Sequence, residues 1–302
     1  MKRKWQLSLA AGLAVLMMLT IGGCGSSASE SKTVKIATKP MTEQLVLGEM
    51  MKELIETKTD LTVEIAKGVG GGTSNIHPAM LKGDFDLYPE YTGTAWYTVL
   101  KKTDSPDEGT LYQQLRKDYE DQFNLTWVGL YGFNNTYSLA MKKSVAEQYG
   151  ITTYSQLVAT SPNLVFGANP DFYEREDGFN GLTSTYALKF KETKEMDIGL
   201  TYQALKGGEV DVITVFTTDG QLDDPDLVVL KDDKGYFKNY YCGTVARQDT
   251  LKKYNELEGV LKLLDDQISE ADMIKMNHRV EIDKQEDAVV AHDFLVEKRL
   301  VN

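Results

Sequence analysis

The sequence predicts an α/β protein with open sheets covered by helices on both faces. Two observations point there. Short extended runs alternate with stretches of helical spacing along most of the chain, the signature of repeated βα units. The length of 302 residues gives a prior of about two domains, and 42% hydrophobic with 26% charged residues is an ordinary globular composition. Disordered, collagen-like and disulfide-scaffold classes are excluded on that balance.

The first 32 residues stand apart from this pattern. Lys2, Arg3 and Lys4 precede an apolar stretch at residues 7–21 that is too short and too rich in small residues for a permanent membrane span. It reads as an export signal, and no polar residue recurs in it to make the amphipathic face of a buried helix. Ile21-Gly22-Gly23-Cys24, followed by small polar residues, resembles a bacterial lipobox, in which the cysteine becomes the lipid-modified N-terminus. Cleavage before Cys24 removes three basic residues and no acid, taking the net charge of −12 to −15. An acidic chain of this kind disfavours nucleic acid or an anionic membrane surface as its main partner. Cys242 is then left without a partner, so a buried thiol is expected rather than a disulfide.

Further along, residues 34–37 read as a strand. Thr42 is a plausible N-cap for a helix to about residue 57, with Leu47, Met50, Met51, Leu54 and Ile55 on one face. Residues 61–66 alternate as a second strand. Glycines at 68–72 form a loop, after which Thr73-Ser74-Asn75 can cap a helix through Lys82. Residues 86–91 are extended, a helix is expected at about 109–123, and strands follow at 125–130 and 136–141. Tyr131 to Asn135 between them is expected to cross from one lobe to another. Further strands are predicted at 164–167, 210–216, 227–230 and 240–246, with three helical stretches from about Gln248.

The common catalytic and metal patterns are weak. His77, His278 and His292 are too widely separated for a zinc helix motif, so no metal is expected. There is no G-x-S-x-G. The glycine loop could offer amides to an anion but lacks a Walker lysine. The acidic run Asp219 to Asp226 does not fit an EF-hand and reads as a solvated turn. No cofactor is implied.

Aromatics paired with turn-formers at the ends of extended runs are more informative. Tyr88-Pro89-Glu90-Tyr91-Thr92-Gly93-Thr94, Asn135-Thr136-Tyr137, Tyr202, and Phe216 before Thr217-Thr218-Asp219-Gly220 form such a set. Singly, each is a core candidate. Together they suggest a cage for a quaternary ammonium group, which has no N–H to donate and is attracted by ring quadrupoles.

The runs Lys39-Pro40-Met41-Thr42-Glu43-Gln44, Tyr88 to Thr94, Phe172 to Gly178 and Thr217 to Gly220 resemble the substrate-binding proteins of osmoprotectant ABC transporters, over about residues 34–300. That resemblance implies a type II periplasmic-binding-protein fold: two α/β lobes, two crossing segments and a ligand cleft. It implies residues 1–23 as signal peptide, 24–32 as lipidated tether, 33–134 and 240–302 as the first lobe, and 135–239 as the second. The chain would be lipid-anchored through Cys24 at the extracytoplasmic face of the cell membrane, with permease subunits as partners. The ligand would be glycine betaine, carnitine or choline.

Matched residue by residue, the resemblance puts Tyr91 and Tyr137 in the cage with Asn135 alongside. Thr94 and Arg175 bind the ligand carboxylate, and Lys39 assists. Tyr202 and Phe216 contribute further rings. Arg175 has the planar donor fork for a bidentate carboxylate contact, although Glu174, Glu176 or Asp177 could instead pair with it. Lys39 could equally be a solvated lysine. Phe216 and Asn135 depart from the tyrosine and aspartate of some relatives, which opens a larger trimethylammonium ligand such as ergothioneine. An enzyme on the same scaffold lacks a plausible nucleophile and base pair.

Overall fold

A computed structural model describes residues 32–104, 106–174, 178–196, 198–237 and 240–302. The proposed signal, lipidation site Cys24 and tether to residue 31 lie outside the described residues, as does Arg175.

The first sheet has the order β2-β1-β3-β10-β4, and its first four strands in sequence are β1 (Thr33–Ala37), β2 (Thr62–Ala66), β3 (Leu87–Tyr91) and β4 (Leu125–Val128). Between them run α1 (Thr42–Lys58), α2 (Thr73–Lys82), a π-helical turn at Thr94–Val99, and α3 (Glu108–Phe123). The chain then crosses into a second sheet, order β7-β6-β8-β5-β9. In chain order its elements are β5 (Tyr137–Lys142), α4 (Lys143–Tyr149), α5 (Tyr154–Leu157), β6 (Val165–Ala168), α6 (Pro170–Glu174), α7 (Phe179–Tyr186), β7 (Glu192–Glu195), α8 (Ile198–Gly207), β8 (Val212–Phe216) and β9 (Leu227–Val229). A second crossing returns to β10 (Cys242–Arg247), which enters the first sheet antiparallel to both β3 and β4. Helices α9 (Gln248–Lys253), α10 (Leu257–Leu261), α11 (Glu270–Glu281) and α12 (Asp287–Glu297) close the chain. These are two α/β lobes with mixed sheets, the architecture of periplasmic binding proteins.

Each lobe has its own core. In the first, Leu47, Met50, Met51, Leu54 and Ile55 of α1 are all buried, packing with residues of α12 such as Val290 and Leu295. The second centres on Leu139, Tyr154, Phe166 and Phe172. Burial of such side chains is worth roughly 1.5–3 kcal/mol each, enough to make each sheet and its helices cohere.

Several local expectations change. Met41, not Thr42, precedes α1, and Thr42 is its first residue. Gly72 precedes α2 without a side-chain cap, because the Thr73 hydroxyl instead donates to Glu90 Oε2 at 2.7 Å. Three amides of the glycine loop are already used within the fold. Gly68 N donates to Thr38 Oγ1, Val69 N to Thr38 O and Gly72 N to Val69 O. His77 is a core residue, set edge-on to Phe123 at 4.7 Å, and burial lowers its pKa. Among the described residues no group of three or more His, Cys, Asp and Glu is placed to hold a metal ion. Cys242 is a buried free thiol, pushed up by burial.

Candidate functional site

The two crossings run side by side and are sewn together. Asn135 N donates to Tyr240 O at 3.1 Å, and Tyr240 N donates to Asn134 Oδ1 at 2.6 Å. Thr217, just past β8, braces them by donating through its hydroxyl to Asn134 O at 2.8 Å. A cavity of about 190 Å³ opens above this joint. For scale, roughly 150 Å³ holds a benzene-sized molecule.

Four rings line the cavity: Tyr91, Tyr137, Phe216 and Tyr240. All sit at strand ends. Tyr91 is the last residue of β3, Phe216 the last of β8, Tyr137 the first of β5, and Tyr240 lies just before β10. Such ends are where open α/β sheets present ligand sites. Antiparallel register makes Tyr137 and Phe216 direct cross-strand partners, with ring centroids 4.7 Å apart. Phe172 and Phe237 support Tyr137 from behind at 5.1 and 6.0 Å. The approach of Tyr240 depends on Gly93, where a Cβ would stand 2.6 Å from the Tyr240 ring.

The polar lining comprises Lys39, Thr94, Asn135 and Thr136, with Met41 beside them. Lys39 is not a solvated lysine. It is 6% exposed, forms a buried ion pair with Glu90, and holds its ammonium 4.6 Å from the Tyr91 ring centroid. Glu90 is fully buried and also accepts from Tyr91 N at 2.8 Å and from Thr73 at the start of α2, where the helix dipole favours an anion. The Tyr91 hydroxyl donates to Glu43 and accepts from Gln44 Nε2 at 3.0 Å. Burial, and then the neighbouring Glu43 carboxylate, push its pKa well up.

Of the residues singled out from sequence, Lys39, Tyr91, Thr94, Asn135, Tyr137 and Phe216 thus share one cavity. Tyr202 does not join that wall. It is 3% exposed, packs among Leu205, Ile213 and Val215, and donates to Asp219 Oδ2 at 2.8 Å. The same carboxyl accepts from Phe216 N at 2.9 Å, so Tyr202 reaches the cavity only through the strut that holds Phe216. Met41, Thr136 and Tyr240 were not singled out. Met41 and Thr136 lie inside quoted runs, and Tyr240 follows the same pattern of an aromatic at a strand end.

A second crevice of about 350 Å³ shares Thr136, Tyr137 and Tyr240 with the cavity and continues past Phe237 and Lys234. On the opposite side, the turn after β8 docks on α11. Asn277 Nδ2 donates to Thr218 O at 2.7 Å, and a Cβ on Gly220 would stand 2.5 Å from His278 N.

Residues 32–297 match the family model of the substrate-binding domain of ABC-type glycine betaine transport systems. The chain belongs to this family. It is 34% identical over 300 residues to the carnitine transport binding protein OpuCC of Listeria monocytogenes, covering 98% of this chain and 97% of that one. It is 46% identical over 296 residues to the Helicobacter pylori (strain G27) ergothioneine transport permease/ergothioneine binding protein EgtU, covering 97% of this chain and 53% of that protein. The chain therefore spans about half the length of this relative. Among solved structures, a glycine betaine/carnitine/choline ABC transporter protein superposes with a TM-score of 0.83 at 30% identity, over 88% of this chain and 99% of that one. The protein is a substrate-binding protein of an ABC transport family. Among the described residues no helix is long and apolar enough to cross a membrane.

Proposed function

We propose that this protein captures a small trimethylammonium compound between its lobes and delivers it to a membrane permease. The observation that carries this reading is the convergence of Tyr91, Tyr137, Phe216 and Tyr240 on one cavity at the junction of the two sheets. Each desolvated ring face contributes roughly 0.5–2 kcal/mol to a cation that cannot hydrogen-bond. Thr94 and Lys39 supply polar contacts to a ligand carboxylate, and Lys39 keeps donors to spare beyond its pair with Glu90. Arg175 takes the principal carboxylate contact in this reading. Rings from β3 and from β5 and β8 belong to different lobes, so binding favours the closed arrangement over the open one. The chain acts as a carrier rather than an enzyme, anchored through a lipid on Cys24 at the extracytoplasmic face.

Within the class, a larger betaine bearing a ring, such as ergothioneine, is supported alongside glycine betaine, carnitine and choline. The crevice that continues from Tyr137 and Tyr240 gives a second group somewhere to go. The 46% identity to a relative named for ergothioneine points the same way. Competition among these ligands, followed by small-angle scattering of the tightest complex, tests the reading. Displacement of one trimethylammonium ligand by another with compaction on binding is expected, and tight binding without compaction contradicts capture by closure.

A further inference from the structure

Glu43, the second residue of α1, is 2% exposed, yet among the described residues no basic side chain pairs with it. The lysine at the cavity, Lys39, pairs with Glu90. Both oxygens of Glu43 instead accept from neutral donors. Oε1 takes the Tyr91 hydroxyl and Asn135 Nδ2, the latter at 2.8 Å, and Oε2 takes the Thr218 hydroxyl at 2.6 Å. All three neighbours are groups able to donate to a carboxylate. Its place in the first turn of a 17-residue helix adds a favourable dipole. The three donors come from the end of β3, the first crossing and the turn after β8, and two of them, Tyr91 and Asn135, line the cavity. Asp219 and Glu281 share the crevice behind with Glu43. Burial raises the pKa of both, and the charge of Glu43 adds to it.

We propose that Glu43 is a specificity-determining positioning residue: it fixes Tyr91 and Asn135 against the cavity, and its negative charge, which among the described residues has no basic partner, makes the cavity prefer a cationic headgroup over a neutral one of the same shape. The inference rests on the trimethylammonium reading and adds to the rings a counter-charge held one layer behind them. Ring quadrupoles already favour a trimethylammonium over a tert-butyl group, and a full negative charge behind an enclosed site adds a second contribution of the same sign.

The test compares choline with dimethylbutanol, its neutral isostere in which carbon replaces the quaternary nitrogen, each measured by equilibrium competition. The wild-type protein is expected to prefer choline, and Glu43→Gln to reduce that preference about tenfold, the scale of one charge acting through a partly screened interior. Equal weakening of both ligands in Glu43→Gln would reduce Glu43 to a structural brace and overturn the proposal. Glu281→Gln, half-buried and farther back, is expected to reduce the same ratio about twofold. If Glu43→Gln does not fold, an unchanged ratio in Glu281→Gln overturns the proposal. A wild-type protein without a choline preference also overturns it, while silence toward every trimethylammonium compound removes the proposed function itself.

Discussion

The two lobes build their halves of the cavity by opposite means. The first-lobe half is polar and cross-braced: Tyr91 is held through its hydroxyl by Glu43 and Gln44, through its backbone by Glu90, and beneath its ring by Lys39. The second-lobe half is packed: Tyr137 leans on Phe216, Phe172 and Phe237, with Asp219 as the polar strut behind Phe216. Hydrogen bonds fix a ring's position sharply and fail when a partner is lost, whereas ring packing supplies area and tolerates small changes. Damage to the first half should therefore appear as lost stability, and damage to the second as lost affinity.

The largest effect is expected from Lys39→Met, which strands the fully buried Glu90 carboxylate. Breaking a buried pair from one side costs about 3–5 kcal/mol, to be read as a lowered urea midpoint. A midpoint within error of wild type would mean that Glu90 finds other compensation. Next comes Asp219, whose pKa is raised from 3.8 to about 6 chiefly by burial. A carboxyl that holds its proton more tightly folded than unfolded contributes stability that is fully present below its unfolded pKa of 3.8 and is lost as pH rises through 6. On the order of 2 kcal/mol should be lost across that window, and Asp219→Asn should flatten the slope of thermal stability against pH there. A slope unchanged by the substitution would assign the effect to another group.

On the packed side, Tyr137→Ala should weaken a trimethylammonium ligand by about 2 kcal/mol while Tyr137→Phe retains most of the affinity. If alanine and phenylalanine cost the same, the hydroxyl and not the ring face is what the ligand uses. The smallest change is expected from Gly93→Ala, whose Cβ would crowd the Tyr240 ring. A loss of about 1 kcal/mol in affinity with little change in stability would show that Tyr240 yields by tilting away from the cavity.

The same contrast marks how far the chain could be read before folding. Strands such as β1 and β8 and the inner face of α1 carry apolar patterns dictated by burial, and their positions were legible within a residue or two. Edge strand β7 was missed because Glu192-Thr193-Lys194-Glu195 has no apolar face to reveal it. Helices α5 and α6, at four and five residues, are too short for a periodicity to register. At the site, the rings preceding a turn motif were legible. Tyr240 carries the same strand-end signal, but its place at the cavity is set by β10 returning from far along the chain to lie beside β3. Tyr202 misled for the complementary reason: an aromatic after a glycine turn carries the same local signal whether it faces a cleft or, as here, the core behind Asp219.

The central claim is a ring cage for a quaternary ammonium group, and calorimetric titration of the protein with glycine betaine, carnitine, choline, ergothioneine and proline tests it most directly. Saturable binding of at least one trimethylammonium compound, with proline silent, is the predicted result. Silence across the panel, or proline binding as tightly as the betaines, would contradict the cage and leave the family's fold without its expected chemistry.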